Sequence, residues 1–207
     1  ADADADEKNE IKWDSLTMKI FDGDRLIRTL NQKAPDSTGI YKWAWYMDEA
    51  GVDRPSKSIR KRNRESSGVS VKPGTYKVVM SFGNETSEEM ITVKSDPRIN
   101  VSSANTNEVY TASKKLEAMQ QTVADADKQL VESKQIAEKF QSDLKKLDKE
   151  KYKDNITASK DITKKIDELI DIYLGKEDKR QGITNTSVVT VNDRIGNASW
   201  YVSSRQS

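Results

Sequence analysis

Two spacings of hydrophobic residues divide the chain near residue 100: alternation over strand-length runs before it, intervals of three and four after it. Leu16, Met18 and Ile20 share one face of a first strand. Asp22-Gly23-Asp24 then reverses the chain into Leu26-Ile27-Arg28-Thr29-Leu30, which predicts a β-hairpin. A second hairpin is predicted from Pro73-Gly74 through residues 76–80, a turn at Gly83-Asn84 and a return strand at 88–93. Between them, segment 40–47 sets Tyr41, Trp43 and Trp45 against Lys42, Ala44 and Tyr46, so a further strand with a strongly aromatic face is expected.

Counting three and four alternately from Val109 gives Ala112, Leu116, Met119, Val123, Ala126, Leu130, Ser133, Ala137, Phe140, Leu144 and Leu147, with no Pro or Gly in between. That heptad seam predicts one long helix, about 58 Å over residues 109–147 at 1.5 Å per residue. The next apolar series is Tyr152, Ile156, Ser159, Thr163, Ile166, Ile170 and Tyr173. The step of five from Leu147 to Tyr152 breaks the phase, which favours a reversal between residues 149 and 154 and an antiparallel helical hairpin. Gly175 ends the second helix, and Thr184, Asn185 and Thr186 offer caps for a third with seam Val188, Val191, Ile195, Ala198 and Val202. Asp96-Pro97 closes the strand-rich part, and Ser102, Ser103 and Asn105 are N-cap candidates for the long helix. The expected architecture is α+β and multidomain. An acidic linker at 1–12 leads into an antiparallel β-sandwich at 13–95 with a basic insertion at 49–70, and a bundle of three helices fills 96–207, at about 104–148, 152–174 and 186–204.

Composition narrows the chemistry. Against 35 Lys and Arg stand 34 Asp and Glu, so no global field draws the chain to nucleic acid or to an anionic membrane. The chain has neither Cys nor His, which removes disulfides, thiolate and imidazole catalysis and the commonest zinc ligands. An enzyme would need a buried Asp/Glu pair, and the sequence marks none, so no catalytic residue, cofactor or metal site is assigned. A calcium reading of Asp2, Asp4 and Asp6 lacks a closing ligand and a turn residue. No apolar run reaches the roughly 20 residues of a membrane span. The chain opens Ala1-Asp2-Ala3 without Met, and is read as a processed or truncated piece.

Three candidate surfaces remain. Tyr41, Trp43 and Trp45 suit a sugar-stacking platform, although filling a small core is the preferred reading. Arg54, Lys57, Arg60, Lys61, Arg62 and Arg64 suit a polyanion, although a solvated insertion loop is preferred. The second helix is shorter than the first, so Val109, Leu116, Met119 and Val123 are expected to lack a mate among the helices and to be covered by a downstream helix first, with the sandwich or a second copy in a homo-oligomer as the alternatives. Asn-x-Ser/Thr sequences begin at Asn84, Asn100, Asn155, Asn185 and Asn197, and two of these fall inside predicted helices.

Phe21-Asp22-Gly23 with Ile27-Arg28-Thr29-Leu30, residues 39–45 (Gly-Ile-Tyr-Lys-Trp-Ala-Trp) and 72–78 (Lys-Pro-Gly-Thr-Tyr-Lys-Val) resemble the Ig-like domain of flagellar hook-capping proteins. That family tends to carry Asp where Tyr46 stands here, and the basic insertion is unusual for it. Residues 93–99 (Val-Lys-Ser-Asp-Pro-Arg-Ile), the long helix and 178–184 (Asp-Lys-Arg-Gln-Gly-Ile-Thr) resemble the C-terminal region of bacterial secreted Asp-box or sortilin-like β-propeller proteins, often labelled glycosyl-hydrolase-like. The resemblance implies an Ig-like sandwich and a helical bundle lying after a propeller, with further helical sequence downstream, in a secreted, periplasmic or cell-envelope protein. It carries no catalytic residue over. The expected function is a non-catalytic structural or protein-interaction module whose partners are the upstream propeller and downstream helix. The alternatives are a carbohydrate- or polyanion-binding module and an accessory part of a glycoside-hydrolase-like enzyme.

Overall fold

The computed structural model describes residues 15–59, 65–98, 101–176 and 188–204. An antiparallel sheet region precedes three helices, so the chain is α+β. The strands are β1 (Ser15–Asp22), β2 (Arg25–Lys33), β3 (Asp48–Ala50), β4 (Ser67–Ser70), β5 (Gly74–Phe82) and β6 (Glu85–Val93). The helices are α1 (Ser103–Asp148), α2 (Lys153–Leu174) and α3 (Val191–Ser203).

Both predicted hairpins form, and they join through β1 and β5 in one sheet of order β2-β1-β5-β6. Alternation puts Met18, Ile20 and Tyr76 on one face, where Ile27 completes a buried cluster; a register shift after Ile20 lets Ile27 reach that face. The other face carries Lys19, Thr29, Lys77 and Glu88. Segment 40–47 keeps its alternation but is not a strand, which corrects the sequence reading. Trp43 and Trp45 pack on the cluster, whereas Tyr41 is exposed. Ring contacts anchor this segment: Trp45 stands edge-on to Tyr76 with centroids 5.6 Å apart, and its Nε1 donates to the Asp48 carbonyl at 2.9 Å. Met47, at φ 57°, then swings the backbone into β3.

The insertion at 49–70 is only in part the solvated loop expected of it. Its ends pair as β3 and β4 in a second sheet, and β4 packs on α1; residues 60–64 lie outside the described residues, as does the linker at 1–12. Two glycines permit this approach. A Cβ on Gly51 would lie 2.3 Å from the Ser67 carbonyl oxygen, and one on Gly68 would lie 2.8 Å from both the Ala50 carbonyl oxygen and Glu117 Oε1 of α1.

Ser102 caps α1, accepting from the Asn105 amide at 3.1 Å. The reversal falls where the phase break puts it, and Asp148 stands in for the missing Gly or Pro: its Oδ1 accepts from the Glu150 and Lys151 amides at 3.1 and 3.0 Å. The buried side of α2 is Ile156, Ser159, Ile166 and Ile170, all on the predicted series. On α1 the buried line is Val109, Ala124, Asp127, Val131, Gln141 and Leu144. Through the middle of the helix it runs one residue beyond the heptad seam, leaving Phe140 and Leu147 exposed. A straight helix drifts about 20° per heptad against a strict seven-residue repeat, so one seam cannot face the same neighbour over 46 residues. Helix α3 begins five residues later than expected, because Thr190 and Asp193 form its capping box; residues 184–186 are outside the described set. It packs chiefly on α1 and also touches α2. No helix among the described residues is long and apolar enough to cross a membrane.

Candidate functional site

The densest polar constellation joins the sheet region to the long helix. Arg25 opens β2 just after the first turn, Glu49 is the middle residue of β3, and Tyr110, Lys114 and Glu117 recur at helical spacing on α1. The Arg25 guanidinium grips Glu49 with two bonds, Nη1 to Oε2 at 3.0 Å and Nη2 to Oε1 at 2.8 Å. From the helix, Tyr110 Oη donates to Glu49 Oε1 at 2.5 Å and Lys114 Nζ lies 3.3 Å from Oε2, while Lys114 also pairs with Glu117. Burial by itself raises the Glu49 carboxyl, but the Arg25 and Tyr110 hydrogen bonds and the Lys114 charge outweigh it and hold the group at about 2. The Glu49 hydrogen bond is the main cause that raises Arg25; Tyr110 is raised by burial first and by Glu49 second.

Arg28 organises the layer beneath. It is buried, donates to the carbonyls of Glu49 at 3.1 Å and of Ser66, and lies 3.7 Å from Asp48, which also accepts from the Ser67 hydroxyl. One cation thus ties β2 to β3 and to the residue that precedes β4. Every donor around Glu49 is aimed at a carboxylate that is already saturated, so the arrangement is suited to fixing one element on another.

The sequence-predicted candidates fare differently. Val109 is buried beside Val71 and Pro73, Leu116 and Val123 are half-buried, and Met119 is exposed. The beginning of α1 is therefore not left bare, since the second sheet lies against it. Of the basic residues, Lys57 donates to the Gly175 carbonyl at 2.6 Å and lies 3.4 Å from Asp171, which ties the insertion to the end of α2. Arg54 lines a cleft against α1, and Arg60, Lys61, Arg62 and Arg64 lie outside the described residues. Trp45 belongs to the core. Trp43 packs on the core too, and with the exposed Tyr41 it borders an open hollow of about 690 Å³ at the end of the sheet, together with Phe82, Asp36 and Gln32.

Sequence reasoning missed Arg25, Arg28, Asp48, Glu49, Tyr110, Lys114 and Asp127. A signal existed for one half of the clamp: Tyr110, Lys114 and Glu117 form a polar stripe off the heptad seam. Asp127 sits on the buried line of α1 at 1% exposure; its Oδ2 accepts from the Ser56 amide at 2.8 Å and its Oδ1 has no partner. Burial pushes its carboxyl up, against the Ser56 bond and the Lys57 charge. Among the described residues no cluster of acidic side chains is placed to hold a metal ion. No protein-family model, curated protein or solved structure matches this chain.

Proposed function

We propose that this chain is a non-catalytic structural and protein-interaction module: a reduced Ig-like sandwich clamped at the root of a long-helix bundle. The observation that carries the reading is the Glu49 clamp, in which one buried carboxylate gathers donors from β2 and α1. A hinge would be served by few and solvated contacts; a spacer needs its two parts locked. With the resemblance, the proposal extends to a module that follows a β-propeller in a secreted, periplasmic or cell-envelope protein and sets the distance between that domain and whatever the helices engage. The test uses the absence of native Cys. Spin labels at Lys19→Cys and Ser142→Cys report the sheet-to-helix distance. A narrow distribution that broadens with Glu49→Gln supports a spacer, and a broad distribution in the parent overturns it.

A second reading concerns carbohydrate. Tyr41 and Trp43 flank a hollow that also offers Asp36 and Gln32, an aromatic wall with polar groups beside it. A glycan array followed by Trp fluorescence titration tests this, with Tyr41→Ala as control. No binding on the array removes the reading. The polyanion reading is weakened because Lys57 is committed to the end of α2.

A further inference from the structure

We propose that the α1–α2 hairpin is a homodimerisation surface, and that a second copy of this chain covers the apolar strip formed by Ile136, Phe140, Leu147, Ile162 and Leu169. All five are exposed, from 45% at Leu169 to 74% at Leu147.

The strip is continuous because of the register between the two helices. Val131 packs with Ile166, and the Ser159 hydroxyl donates to the Ala137 carbonyl at 3.1 Å, so Ile162 stands level with residue 135 and beside Ile136. Five of the exposed apolar residues of the two helices share one flank, whereas Met119 and Ile172 lie off it. At about 100° per residue, Ile136, Phe140 and Leu147 fall on the flank of α1 away from Lys134, and Ile162 and Leu169 on the flank of α2 away from Asp167. Lys134 and Asp167 close the opposite flank at 2.7 Å. One side of the seam is thus sealed by an ion pair, and the other carries a diagonal apolar ridge that α1 starts at the hairpin tip and α2 finishes.

The occupant follows from size and charge. The ridge spans roughly 30 Å, and a face two helices wide is roughly 20 Å across, giving on the order of 600 Å² per copy. Doubled, that is about 1,200 Å², the lower bound of a stable interface. A twofold axis lying in the face superposes the ridge on itself, as an isologous contact requires. The formal net charge of +1 sets no repulsion against pairing. This inference stands apart from the spacer reading, because a hinged molecule would carry the same ridge.

Sedimentation equilibrium of the whole chain, from about 1 to 300 μM, decides. The expected parent mass is twice that of the chain, falling to that of one chain in Phe140→Glu and Leu169→Glu with helicity and thermal midpoint retained, while Trp200→Glu on α3 leaves the dimer intact. Because the ridge centre lies near the axis, Ile136→Cys should form an inter-chain disulfide on mild oxidation. A parent that stays monomeric throughout overturns the proposal and leaves the ridge to another chain. A dimer indifferent to both ridge variants places the contact elsewhere and overturns it equally.

Discussion

Glu49 couples the stability of the fold to pH through a single carboxylate. Its folded pKa of about 2 lies below the ordinary 4.5, so its contribution is fully present above about pH 4.5 and is lost as pH falls toward 2. The shift corresponds to about 3 kcal/mol. Glu49→Gln should lower stability at pH 7 by about 2–4 kcal/mol, since it leaves Arg25 and Lys114 without their shared anion, and should flatten the acid limb of the stability curve. Urea titrations of parent and variant from pH 7 to about pH 2 measure both effects; parallel acid limbs would assign the pH dependence to other carboxylates. Asp127 carries the opposite sign. Its carboxyl is raised by burial, so the ionised form opposes folding at neutral pH, and that opposition fades as pH falls through its folded pKa. Asp127→Asn keeps an acceptor for the Ser56 amide and removes the charge. Its unfolding free energy at pH 7 should hold or rise by up to about 1 kcal/mol. A fall of more than that would show that the charge is used, with Lys57 the cation that acts on it.

At the scale of elements, local chemistry was legible and long-range pairing was not. Both hairpins, the Ser102 cap, the reversal near residue 149 and the inward side of α2 follow from turn residues, capping and period, all of which act within a few residues. Segment 40–47 misled because alternation reports which side chains turn inward, as Trp43 and Trp45 do, without saying whether a neighbouring strand is there to pair with. The second sheet was hidden for a related reason: three- and four-residue strands in a charged insertion carry no periodicity, and their partner face on α1 is far along the chain, 61 residues from Glu49 to Tyr110. Gly68 is where that docking is tightest. Gly68→Ala would set a methyl 2.8 Å from the Ala50 carbonyl oxygen and from Glu117 Oε1, and the first of these is backbone and cannot yield. The expected cost is about 1–3 kcal/mol, read as a lowered denaturation midpoint. An unchanged midpoint would mean that β4 does not lie this close to β3 in solution.

At the scale of the molecule, two different packing problems share one helix. The first half of α1 is held by the second sheet through polar bonds, and its second half by α2 through Val131, Ile166 and Ile170. That division explains why the candidate site was less legible than the fold: the clamp pairs residues as far apart as Arg25 and Tyr110, and such pairs leave no mark in spacing. It also predicts how the molecule unfolds. Helix α1 is common to both parts, so the sheet and the helices should melt together. Near-ultraviolet circular dichroism, to which Trp43, Trp45 and Tyr76 around the sheet core contribute, and the helical signal at about 222 nm should give coincident transitions in the parent. Removing the clamp with Glu49→Gln and Lys114→Met together should split them, because the α1–α2 hairpin keeps its own apolar seam while the sheet loses its hold on the helix. The sheet signal would then move to a lower midpoint and the helical signal would move less. Coincident transitions in the double variant would mean that Gly68, Val109 and Lys57 suffice to couple the two parts, and the clamp would then be one contact among several.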